Sequence, residues 1–212
     1  VSQNTLQFAN GGAGDGVINS NITGDSTNAI EFGSDKAAEN VGRLFYNGTT
    51  TKDAVVNPSA TLGGTGTVGN LSILDDAAFY LSSAINAEKA FTVDGTLTLN
   101  GMLEVDLDSL VSTDALLLNA ESTVLGDDAF FVFNNLTPTE AGTEFFVMNL
   151  GTGITEDDLL GRISVYGAGS GWAYALNDGV LSLTMNVPEP GTWAMLLLGL
   201  GILFLGNKRR ER

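Results

Sequence analysis

The chain has 212 residues, with 25 acidic and 9 basic side chains, no histidine, no cysteine and a formal net charge of −16. That inventory excludes Ser-His-Asp and Cys-His nucleophile systems, thiolate chemistry, disulfide staples and the usual zinc sites. A surface of this sign also excludes nucleic acid as a partner, because a polyanion is repelled by it. No cofactor is expected either: Gly63-Gly64-Thr65-Gly66 lacks the lysine and the helix that a phosphate cradle needs.

In chain order, short apolar runs alternate with turn chemistry. Thr5 to Phe8, Gly16 to Asn19, Ala29 to Phe32 and Arg43 to Tyr46 carry β-branched and aromatic residues with a two-residue period. Asn-Gly, Gly-Asp and Gly-Ser close these runs. A glycine-dense stretch from Leu62 to Ile73 then alternates in the same way. Phe91 to Val93, Thr96 to Leu99 and Met102 to Leu107 read as three further strands, turned apart by Asp94-Gly95 and Asn100-Gly101, dipeptides that accept positive φ. Leu116 to Leu118, Thr123 to Leu125 and Phe130 to Phe133 continue the series. Thr155-Glu156-Asp157-Asp158 before Leu159-Leu160-Gly161 predicts one short helix with a capping residue and a glycine stop. Ile163 to Tyr166, Trp172 to Leu176 and Val180 to Met185 are strands, the last two joined as a hairpin by Asn177-Asp178-Gly179 with Trp172 and Tyr174 on one face.

Many strands of three to six residues without a convincing helix define an all-β chain. Two architectures accept the pattern: a solenoid whose coils carry short strands around one apolar interior, or a β-sandwich of hairpins. The stretch A-T-L-G-G-T-G-T-V-G-N-L-S-I resembles the passenger repeats of autotransporters, as do G-x-L-x-V at Gly101 to Val105, D-x-L-x-L at Asp114 to Leu118 and G-T-x-F-x-V at Gly142 to Val147. The resemblance implies a right-handed parallel β-helix, closed at its far end by the hairpin. Residues 1–60 fit those repeats least.

With histidine and cysteine absent, any reaction centre is restricted to carboxylates. The acidic pairs are Asp75-Asp76, Asp127-Asp128 and Asp157-Asp158. Neighbours on a strand point to opposite faces, so such pairs do not converge in extended chain. Glu104, Asp106 and Asp108 share one face, opposite Leu103, Val105 and Leu107, which makes that face the solvent side. Asp106 and Asp108 are a weak candidate pair for calcium, lacking the spacing of an EF-hand. Lys89 and Arg162 are the basic residues a carbohydrate-active site would recruit.

The last twenty-six residues differ from the rest. Pro188-Glu189-Pro190 holds the backbone extended, because each proline fixes its own φ and restricts its predecessor. From Gly191 to Gly206 there is neither charge nor proline, and Trp193, Leu196, Leu197, Leu198, Leu200, Ile202, Leu203, Phe204 and Leu205 supply an anchor apolar on every side. Sixteen helical residues rise about 24 Å, a marginal transmembrane span against a core of about 30 Å. Lys208, Arg209, Arg210 and Arg212 follow at once and place the end 207–212 in the cytoplasm, with everything before Pro188 outside. Setting that tail aside leaves 23 acidic and 5 basic residues in the body, 1–186.

This tail resembles the PEP-CTERM sorting signal of bacterial exported proteins, which the membrane protease-transferase exosortase recognises. The resemblance implies that Pro188, Glu189 and Pro190 form the recognition motif, that exosortase and the inner membrane are partners, and that the body reaches the cell surface or the extracellular matrix. Val1 is accordingly expected to follow a removed signal peptide or to lie inside a truncated chain. The expected role is non-catalytic, in association with exopolysaccharide. A carbohydrate-active β-helix enzyme displayed by the same tail, or a permanently membrane-anchored adhesin, are the competing expectations.

Overall fold

The structure, a computed structural model, describes residues 6–12, 14–23, 29–34, 36, 42–86, 88–107, 116–136, 144–167 and 172–185. The backbone forms a parallel β-solenoid. Strands fall alternately into two sheets as the chain advances. The first sheet takes β1 (Leu6–Phe8), β3 (Ile30–Phe32), β5 (Ala54–Val56), β7 (Thr67–Val68), β8 (Leu71–Ile73), β10 (Phe91–Leu99), β12 (Leu118–Leu125) and β14 (Glu144–Asn149). The second takes β2 (Gly16–Ile18), β4 (Arg43–Tyr46), β6 (Thr61–Gly63), β9 (Ala78–Ser82), β11 (Met102–Asp106), β13 (Phe130–Leu136) and β15 (Ile163–Gly167). Pairing within these stacks is parallel throughout. The hairpin β16 (Trp172–Asn177) and β17 (Val180–Met185) then adds to β14 antiparallel and closes the first sheet at the C-terminal end. The solenoid expectation is met and the β-sandwich is set aside.

Alternation explains the core. In the second sheet, Leu44, Leu62, Phe79, Leu103, Phe131 and Ile163 lie in one register row pointing inward. Ile30, Ala54, Leu71, Leu97 and Thr123 make a row in the first sheet. Between them the interior is one continuous apolar cluster, tightened by Phe79 against Phe91 at 4.9 Å edge-to-face and by Phe32 against Tyr46 at 5.6 Å. Thr123 is tolerated there because its hydroxyl donates to the Leu150 carbonyl at 2.7 Å. Tyr46 is fully buried, and among the described residues its hydroxyl has no hydrogen-bond partner. That burial pushes its phenol above the ordinary value, partly offset by the nearby Ile22 backbone. Removing an unsatisfied buried hydroxyl relieves a desolvation cost, so Tyr46→Phe is expected to leave stability unchanged or raise it by up to about 1 kcal/mol, read by urea denaturation.

Successive coils differ in length, and polar side chains link them. The rung-to-rung step is 24 residues from Gln7 to Glu31, 17 from Asp53 to Asn70, 26 from Thr96 to Ser122 and 30 from Asn119 to Asn149. Asp53, Asn70, Thr96 and Ser122 stack along one line: Asn70 donates to Asp53 at 2.8 Å, the Thr96 N–H donates to Asn70 at 2.8 Å, and Thr96 and Ser122 share a hydrogen bond of 2.8 Å. Such a ladder satisfies groups beside the irregularity of the first sheet that the β-bonds leave open.

Several local expectations are corrected. Asp94-Gly95 does not turn the chain: β10 runs unbroken from Phe91 to Leu99, and the dipeptide is a bulge opposite the β12 step from Ala120 to Ser122. It stacks over the Gly69-Asn70 break between β7 and β8, where the Gly95 N–H donates to the Gly69 carbonyl at 3.0 Å. Asn100-Gly101 does turn, but as a corner between sheets, and a Cβ on Gly101 would press on the Ala77 and Leu74 carbonyls of the coil below. Leu118 to Leu125 is one strand of eight residues rather than two short ones. The short helix at 155–161 is only the 3₁₀ turn Asp157–Leu159, and the Thr155 hydroxyl does not cap it: the hydroxyl and the N–H of Thr155 both donate to the Asp158 carboxylate, at 2.6 and 2.8 Å. β5, β9 and the single-turn helix α1 (Ser83–Asn86) have no counterpart in the sequence expectations. The Asp178-Gly179 turn is as expected, with φ of 49° and 81°, the pair of positive values that a type I′ hairpin requires.

Candidate functional site

Two concavities each gather three carboxylates of the described residues. The larger, about 640 Å³, crosses β10, β12 and β14 and ends at the β16–β17 turn. Asp94, Glu121 and Asp178 line it with Thr92, Asn119, Asn149 and Thr152. Its polar row is in ladder register: Thr92 faces Asn119, and Asn119 faces Asn149. The Asn149 amide donates to Asn119 at 2.8 Å and accepts from the Gly151 N–H at 2.9 Å, which fixes its orientation. The three carboxylates are exposed, and no basic side chain lines the groove.

The smaller concavity, about 430 Å³, lies at the corner where the chain passes from the first sheet to the second. It gathers Asp75, Asp76 and Asp128 around Ala77, Ala78, Gly101 and Met102. Asp128 thus reaches the same corner as Asp75 and Asp76, more than fifty residues earlier, because the two turns are equivalent in stacked coils. Asp76 sits at φ 58° and is exposed.

The cations that a carbohydrate-active site would need are placed elsewhere. Arg162 is a clamp: its Nη1 donates to the carbonyls of Gly126, Asp127 and Ala129 at 2.6, 3.2 and 3.2 Å, closing the turn of the coil below. Arg162→Met keeps the aliphatic stem and removes those charge-assisted bonds, so a loss of about 1.5–3 kcal/mol in denaturant unfolding is expected. Lys89 is exposed and lines neither concavity. Arg43 lies over the Tyr80 ring at 4.0 Å on the outer face of the second sheet. Asp158 is held below the usual carboxylate range, first by the Thr155 hydroxyl and then by the Thr155 N–H, so its small contribution is present at neutral pH and fades as pH falls through that lowered value.

On β11, Glu104 and Asp106 occupy the outer face while Leu103 and Val105 are buried, as alternation requires. Glu104 accepts from Asn134 at 3.1 Å across the ladder. Asp108, the second candidate calcium residue, lies outside the described residues, and no group of three ionisable ligands placed to share a metal ion occurs among those described. The sorting tail lies outside them as well: Pro188, Glu189, Pro190, the apolar run with Trp193, and the cations Lys208 to Arg212. Among the described residues no helix is long and apolar enough to cross a membrane.

The row that builds the groove has no signature in the sequence, because Thr92, Asn119 and Asn149 come together only through coil stacking. No curated protein and no solved structure matches the chain, so the likeness of the body to autotransporter passengers rests on the repeats quoted above. Residues 186–210 match the family model described as the PEP-CTERM protein-sorting motif, and the chain is therefore a β-solenoid carrying the signal by which exosortase sorts exported proteins at the membrane.

Proposed function

We propose that the solenoid is a non-catalytic cell-surface or matrix module, delivered by its PEP-CTERM tail and associated with exopolysaccharide outside the cell. The sorting motif at 186–210 is the observation that carries the export half of this reading. Gly191 to Gly206 spans the inner membrane until exosortase acts, with Lys208, Arg209, Arg210 and Arg212 on the cytoplasmic side. The non-catalytic half is supported by the absence of histidine and cysteine and by the commitment of Arg162 to three carbonyls. The exposed carboxylates and amides of the axial groove accept and donate hydrogen bonds as sugar hydroxyls require, and their uncompensated charge favours neutral or amino-substituted polymers over acidic ones.

A carbohydrate-active enzyme is the second reading, favoured by that same groove because carboxylates are the groups that glycosidases use. Incubating the mature protein with exopolysaccharide from the native host separates the two. Co-sedimentation with polymer of unchanged length is expected, and new reducing ends or unsaturated ends would overturn the non-catalytic assignment. A permanently anchored adhesin is distinguished by intact mass, which would still include Arg212.

A further inference from the structure

The two ends of the stack are finished differently. At the C-terminal end the hairpin closes the core: Leu181 and Leu183 are fully buried, and Trp172, Tyr174 and Leu176 pack against the apolar interior. That last coil is also acidic, with Glu156, Asp157, Asp158 and Asp178 exposed. At the N-terminal end no such cap occurs among the described residues. β1 pairs with β3 and β2 with β4, and no described strand pairs on the far side of either. The interior rows therefore run out in the open. Leu6 continues the row of Ile30, Ala54 and Leu71, yet it is 45% exposed where Ile30 is 2%. Phe8 stacks on the buried Phe32 at 5.9 Å, and Ile18 stands over the buried Tyr46; both are only partly buried.

Stacked coils need a capping end to stay soluble, and an open edge strand is a template for another strand. Charge indicates which strand. The body carries 23 acidic and 5 basic residues, but in residues 1–24 only Asp15 is charged. Two copies of the chain repel each other over most of their surface and least at this end. A charged partner would find almost nothing there to pair with. Residues 1–5 are too few to turn back and pair with both β1 and β2. A second copy can cover both. A two-fold axis through Gln7 sets β1 antiparallel to its counterpart, with Leu6 opposite Phe8 of the second copy. Directly opposed residues share a face, so the inward positions of both copies stay inward, whereas a slip of one residue would set inward against outward.

We propose that the uncapped N-terminal end docks a second copy of this chain, β1 against β1 across a two-fold axis, so that two solenoids share one continuous core. Such a contact is self-complementary and closes as a dimer. The hairpin caps and their carboxylates then lie at the two far ends, which keeps the contact from repeating into a filament. The inference concerns the body alone and stands apart from the exopolysaccharide reading.

The full chain, in detergent micelles kept in excess over protein, is expected to sediment as a dimer. Leu6→Lys should raise the dimer Kd at least about a hundredfold, because a two-fold contact brings both introduced charges together. Val124→Lys, at a position 52% exposed on the side of the stack, should leave the dimer unchanged. The chain has no native cysteine, so Gln7→Cys tests the register in an otherwise unaltered protein. Mild oxidation should link two copies through position 7, since opposed residues of an antiparallel pair lie within disulfide reach. A monomer overturns the proposal, and a thiol at position 7 that resists alkylation then assigns the end to the chain's own residues. A dimer that survives Leu6→Lys and does not cross-link at position 7 is held by its tails and overturns it too. Linkage of a Gln7→Cys chain to an Ala173→Cys chain reveals head-to-tail stacking and overturns the closed dimer.

Discussion

Alanine at both Pro188 and Pro190 is expected to leave the protein uncut in the inner membrane, with an intact mass that still includes Arg212. The reason is conformational. Each proline holds its own φ near −65° and denies the helical region to the residue before it, so Glu189 is presented on extended chain ahead of the apolar run. Alanine is the best helix former, and an apolar helix starting at Gly191 would grow backward through two alanines at little cost. The motif would then enter the membrane as helix, in which its backbone groups bond internally and offer nothing to an enzyme. Fractionation followed by intact-mass measurement checks this, and release of a shortened body from the variant would refute the role given to the prolines. The single variants separate the two: Pro190→Ala removes the break next to the helix and should have the greater effect.

Phe79→Ala is expected to cost about 3–5 kcal/mol, the range for removing a large buried ring, out of a total stability that for a domain is only about 5–15 kcal/mol. Phe79 is fully buried, stands in the inward row between Leu62 and Leu103, and meets Phe91 of the opposite sheet at 4.9 Å. In a solenoid each coil packs only on its neighbours, so a void in a middle coil weakens both interfaces it shares. The urea midpoint should fall markedly. Phe79→Leu, which restores most of the volume, should recover the larger part of the loss. A Phe79→Ala midpoint close to that of the unmodified protein would mean that the two sheets do not share one core.

These two results concern parts of the chain that differ in how far their sequence explains them. The tail is legible residue by residue. Proline geometry, an uncharged apolar run and a terminal cluster of cations are local properties, and they carry the same meaning wherever the chain around them folds. The body is legible as to class but not as to connection. Two-residue alternation in Ile30 to Phe32 or Met102 to Asp106 depends only on the pleat, and the buried and open faces follow it. The hairpin at Asp178-Gly179 is likewise local, since only positive φ at two adjacent residues makes that turn.

What the neighbours of a strand are is decided elsewhere. Asp94-Gly95 has the composition of a turn, yet it continues a strand because the coil beneath offers Gly69 to receive the Gly95 N–H and Asn70 to receive that of Thr96. β5 and β9 escape notice because Ala54-Val55-Val56 and Ala78 to Ser82 are short or mixed in character, and their extended form comes from ladders on both sides. Coil lengths that change from 17 to 30 residues hide the repeat from any fixed period. By itself, then, the sequence determined that this chain is all-β, acidic and addressed by its tail, because those depend on composition and on spacing over a few residues. Which strands stack, and hence which carboxylates and amides share a groove, only the tertiary structure decided, because parallel pairing joins residues through hydrogen bonds between coils that leave no mark on the intervening chain.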